Sequence, residues 1–60
     1  MTEADIEVLW AMEKYGGGFE MALARAARRA DSDNLRRIKA AWPEYWSTYE
    51  AMAAAEFGDE

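Results

Sequence analysis

The chain has 60 residues, a formal net charge of −5 and neither cysteine nor histidine. This length allows one domain with a marginal core, because a chain of this size removes only about 60% of its unfolded surface from water on folding. The missing residue types exclude disulfides, thiol chemistry, imidazole acid–base catalysis and the usual ligands of structural zinc. Helix packing or self-association must then supply the stability. The rings of Trp10, Tyr15, Phe19, Trp42, Tyr45, Trp46, Tyr49 and Phe57 are suited to it, since each buried aromatic removes roughly 150–250 Å² from water.

A first helix is expected from about residue 3 to 14. Thr2 is its N-cap, and Glu3 and Asp5 favour the positive end of the helix dipole. Ile6, Val8, Leu9, Trp10 and Met12 sweep a wide apolar arc at 100° per residue, with Glu3, Glu7 and Lys14 opposite. Gly16, Gly17 and Gly18 should end this helix in a C-cap and a tight turn.

The second helix is expected over 19–30. Phe19, Ala22, Leu23, Ala26, Ala27 and Ala30 share one side, with Glu20, Arg25 and Arg28 largely on the other. The mostly alanine face invites close approach by a neighbouring helix. "ADSDN", Ala30 to Asn34, reads as a turn with an N-cap at Asp31 or Ser32. A third helix over 32–42 buries Leu35, Ile38 and Trp42 and leaves Arg36, Arg37 and Lys39 toward water. Pro43 disfavours helical geometry at Trp42 and suits the first position of a fourth helix over 43–57. There Tyr45, Trp46, Tyr49, Met52, Ala53 and Phe57 form one stripe, expected to pack on the alanine face of the second helix. Gly58 stops it before a short acidic tail over 58–60. The expectation is a single all-α domain over 1–60, a compact bundle of three to four short helices.

Charge is segregated along the chain. Arg25, Arg28, Arg29, Arg36, Arg37 and Lys39 are six of its seven cations and lie in the middle, with carboxylates before and after. Either the ends neutralise the middle inside one fold, or separate faces meet different partners. These six residues are the candidate partner-binding set. Tyr45, Trp46 and Tyr49 are a candidate aromatic surface, because Tyr and Trp carry a polar tip that can reach water even when the ring packs inward.

Other chemistry finds little support. Glu3 and Glu7 form an i, i+4 carboxylate pair, but in a first turn they suit the helix dipole better than acid–base work. Asp31, Asp33 and Asn34 lack the glycine and distal glutamate of a calcium loop. The glycines of "KYGGGF" precede a helix without the Lys-Ser/Thr pair or the strand of a phosphate loop. No catalytic, metal or cofactor residue is expected, and no enzyme. The second and third helices resemble a helix-turn-helix in outline, with Arg36, Arg37 and Lys39 on the second of the pair. The acidic balance, near pI 4.6, argues against nucleic acid as the main partner. The N-terminus carries acids where a secretion signal carries basic residues, and no stretch approaches the roughly 18 apolar residues of a membrane span. A cytoplasmic location without membrane contact is expected.

The pattern "YGGGF…AL…A…AD..NL..I…WPEYW..Y", from Tyr15 to Tyr49, resembles one found in short uncharacterised helical proteins of bacteriophages and prophages. That resemblance implies a phage-accessory context in the host cytoplasm and no mechanism. The expected function is non-enzymatic binding to a protein partner, for example inhibition or modulation of a host or defence factor. The alternatives are a nucleic-acid-binding regulator that uses residues 25–39 and a self-associating structural protein, such as a homodimer.

Overall fold

The computed structural model describes residues 1–58; the acidic tail residues Asp59 and Glu60 lie outside them. Four helices follow one another: α1 (Glu3–Tyr15), α2 (Gly18–Arg28), α3 (Ser32–Ala41) and α4 (Pro43–Phe57), with no strand among the described residues. The chain is an all-α bundle measuring 32 × 24 × 18 Å.

α1 and α3 begin where the sequence supplies a side-chain cap. The Thr2 hydroxyl accepts from the Asp5 backbone N–H, and the Asp5 carboxylate accepts from the Thr2 N–H, both at 3.1 Å. This reciprocal box satisfies two donors that the first turn leaves free. Asp31 caps α3 by accepting from the Asn34 N–H at 2.8 Å. Trp42 leaves helical geometry at φ −133°, ψ 63°, and Pro43 starts α4. The helix-forming residues on either side of Pro43 therefore give two helices with a sharp break.

The three glycines divide their work. Gly16 caps α1, Gly17 precedes α2 and Gly18 is already its first residue, so α2 begins one position earlier than the spacing suggests. None of the three has positive φ. Gly16 is needed for space: a Cβ there would sit 2.5 Å from the Met12 carbonyl, 2.6 Å from Glu20 Cβ and 3.2 Å from the Tyr49 hydroxyl. The connection between α1 and α2 thus lies where α4 presses its tyrosine. At its other end α2 stops at Arg28 instead of residue 30, because the Arg29 and Ala30 N–H groups turn back to the carbonyls of Ala26 and Ala27.

α1 is the helix on which the others assemble, with α2 and α4 both packed along it. Its buried residues Val8, Leu9, Ala11 and Met12 span about 160° of arc at 100° per residue. That is wider than one neighbour needs, so one helix serves two partners. The expectation that the α4 stripe would lie mainly on the alanine face of α2 is therefore corrected. Tyr49 and Ala53 are the buried residues of α4 and belong to the same core as α1, while Tyr45 and Trp46 pack half-buried against it. Ile6, Met52 and Phe57 stay largely exposed, although Phe57 meets the edge of Trp10 with ring centroids 4.8 Å apart.

α2 also departs from its expected orientation. Ala24 and Ala27 are fully buried and Leu23 is half-buried, whereas Ala22 and Ala26 lie in solvent and Phe19 is 52% exposed. The buried side is turned by roughly 70° from the centre of the apolar stripe. Arg28 supplies a reason. Its guanidinium reaches Glu13 of α1 through two hydrogen bonds, 2.8 and 3.1 Å, and draws toward α1 the side of α2 that carries Ala24. α3 packs more lightly, through the buried Leu35 and the half-buried Ile38.

Candidate functional site

The turn at Arg29–Asp31 sends α3 back along α2, and the two helices meet again where Phe19 packs edge-on against Trp42, centroids 5.6 Å apart. Tyr45 joins that wall, 5.9 Å from Phe19. Between the turn and the aromatic wall lies an open groove of about 510 Å³. Its floor is apolar, formed by Ala26 and Ala30 on one side and Ile38, Ala41 and Trp42 on the other. Arg29, Asn34 and Arg37 supply the polar lining.

The six candidate cations do not form one open patch. Arg28 is held by Glu13. Arg36 bonds to Asp33, and Arg37 stands 3.8 Å from the other oxygen of the same carboxylate. Lys39 turns inward to Asp5, at 2.8 Å, and lies 4.9 Å from the centre of the Trp46 ring. The Lys39 side chain, half-buried, thus bridges Asp5 of α1 and Trp46 of α4. Arg25 and Arg29 are exposed and make no ion pair among the described residues.

These pairings perturb proton affinities in the directions expected. The Arg28 hydrogen bond holds the Glu13 carboxyl below its ordinary range, with the charges of Arg28 and Arg25 acting the same way against a desolvation cost. Glu13 in turn raises Arg28. Burial works to raise Asp5, but hydrogen bonds from Lys39 and Thr2 together with the Lys39 charge outweigh it and hold the carboxyl low. Burial pushes the Tyr49 phenol up, assisted by Glu20 and Tyr45.

Among the candidate aromatic residues, Tyr49 is only 7% exposed and offers no accessible ring. Trp46 is half-buried and its ring is shared with Lys39; Tyr45 contributes to the groove wall. A second aromatic group sits by α1: Trp10 packs against Tyr15 and Phe57, Lys14 lies 4.9 Å from the Trp10 ring centre, and Tyr15 donates to Glu56 at 3.1 Å.

The groove residues Ala26, Ala30, Ile38, Ala41 and Trp42 were not separable from core residues by spacing. One signal was present: the apolar stripe of α2 is wider than a single neighbouring helix covers, so it has room for a second contact. Asp31 and Asp33 are occupied by the cap and by the arginines, as described above. No described helix is long and apolar enough to cross a membrane. Compared with protein-family models, with curated proteins and with solved structures, the chain matches none of them.

Proposed function

We propose that this protein is a non-enzymatic binding module that docks a partner protein on its α2–α3 face. One observation carries the reading: Phe19, Ala22 and Ala26 of α2 are left in solvent beside an apolar groove although α1 already satisfies the rest of the helix. Exposed apolar surface rimmed by polar residues is the usual mark of an interaction site. In this reading the partner is a host or defence factor, as the resemblance to short phage and prophage proteins suggests, and binding occludes or modulates it.

The helix-turn-helix alternative draws less support from the geometry, because Arg36 and Lys39 already bond to carboxylates. Phosphate contacts from α3 would have to displace those pairs. The test is capture from host lysate with the tagged chain and with an Ala26→Glu variant. A specific protein retained by the parent and lost by the variant supports the reading; none, or equal capture by both, opposes it. Duplex DNA bound at low salt and released steeply as salt rises would favour the nucleic-acid alternative.

A further inference from the structure

We infer that the α2–α3 groove takes an acidic amphipathic helix, one that inserts two apolar side chains a turn apart and sets carboxylates against Arg29 and Arg37. This rests on the binding reading above and adds the chemistry of the partner. The argument begins with charge. In a chain with 12 carboxylate side chains and a net charge of −5, the groove lining contains two arginines, one asparagine and no acid. Arg29 has no ion pair among the described residues, and Arg37 has only a 3.8 Å approach to a carboxylate that Arg36 already engages. Both guanidiniums keep donors free, and a carboxylate is the group that such a planar fork binds bidentately.

Shape narrows the choice. The lining runs along α3 from Asn34 to Trp42, a length of about 12 Å at 1.5 Å per residue, with the Arg29–Asp31 turn at one end and Trp42 at the other. Side chains four residues apart on a helix lie about 6 Å from each other and fit within that length. A strand would gain no backbone pairing here, since no sheet edge is present among the described residues. A basic segment would meet two arginines, and a phosphate backbone would leave the apolar floor uncovered.

The experiment is an amide NMR titration of the isotope-labelled full chain. Its probes are a synthetic helical peptide with leucines at i and i+4 flanked by glutamates, the same peptide with lysines in place of glutamates, and a short random DNA duplex. The glutamate peptide is expected to shift the amides of Ala26, Ala30, Ile38 and Ala41 and to bind at least about tenfold more tightly than the lysine peptide, a difference of about 1.4 kcal/mol. An Arg29→Glu/Arg37→Glu double variant, whose folding is checked by amide dispersion, should reverse that preference. Groove shifts that are equal for both peptides, or a preference unchanged by the double variant, would overturn the acidic partner while leaving the groove as the binding face. Shifts confined to Trp10 and Phe57, or no peptide binding at all, would overturn the site itself. DNA that displaces the glutamate peptide from the groove would replace the inferred occupant with nucleic acid.

Discussion

Two sides of α2 are built from the same residue and meet different fates. Ala24 and Ala27 are fully buried, while Ala22 and Ala26, on the same helix and with the same methyl group, stay in solvent beside the groove. Side-chain hydrophobicity cannot separate them. The wide apolar arc of α1 and the Glu13–Arg28 pair decide which side turns inward. An alanine stripe therefore marks where a helix can be approached closely, and a second element determines what approaches it.

The strongest way to break the comparison is on the α1 surface that the buried side of α2 needs. Leu9 is fully buried, and Leu9→Ala should cost about 2–5 kcal/mol. A domain of this size has only about 3–9 kcal/mol in total, so urea unfolding near 25 °C should show the variant losing a large fraction of the parent's stability. Next, Ala24→Leu forces new volume into a closed contact and should destabilise by about 1–3 kcal/mol. Ala26→Leu, two positions on and in the groove lining, should stay within about 0.5 kcal/mol of the parent in the same unfolding assay.

Asp5→Ala tests how lightly α3 is attached. It removes the Asp5 half of the α1 capping box and the Lys39 contact, and leaves the Thr2 hydroxyl on the residue 5 N–H, at a combined cost of about 1–2 kcal/mol. Hydrogen exchange should accelerate in α3 before it does in α1 or α4. A smaller effect is expected from pH. Asp5 and Glu13 have lowered pKa values in the fold, so the unfolded chain takes up protons first on acidification. Their stabilisation is present at neutral pH and is lost as pH falls below about 4. Tyr49 acts in the opposite range: its raised pKa means that stability is lost above about pH 10, as ionisation of the buried phenol is forced. Thermal melts across pH should therefore show a plateau near neutrality, with acid loss reduced in Asp5→Asn. Glu13 and Arg28 are both partly exposed, so Arg28→Ala should lower stability by less than about 1 kcal/mol.

The helices and their caps were legible in the sequence because local chemistry dictates them. Thr2 with Asp5, Asp31 with Asn34, and Pro43 after Trp42 each act within four residues. The orientation of α2 was not legible, since Phe19, Ala22 and Ala26 satisfy helical periodicity as well as Ala24 and Ala27 do. The apolar arc of α1 and the contact between Arg28 and Glu13, 15 residues apart, select between them. The commitment of Lys39 was hidden for the same reason, as its partner Asp5 lies 34 residues away. The groove depends on both outcomes: α2 must turn toward α1, and Trp42 must close against Phe19, before Arg29 and Arg37 border an apolar floor.

Thiol labelling compares the two sides most directly, because the parent has no cysteine and a single one can be placed on either. Cys at 26, from Ala26→Cys, should react with a maleimide nearly as fast as an unstructured peptide thiol. Cys at 24, from Ala24→Cys, should react at least about a hundredfold more slowly, at a rate set by opening of the fold. Equal rates at the two positions, or faster reaction at 24, would contradict the assignment of one side of α2 to the core and the other to solvent.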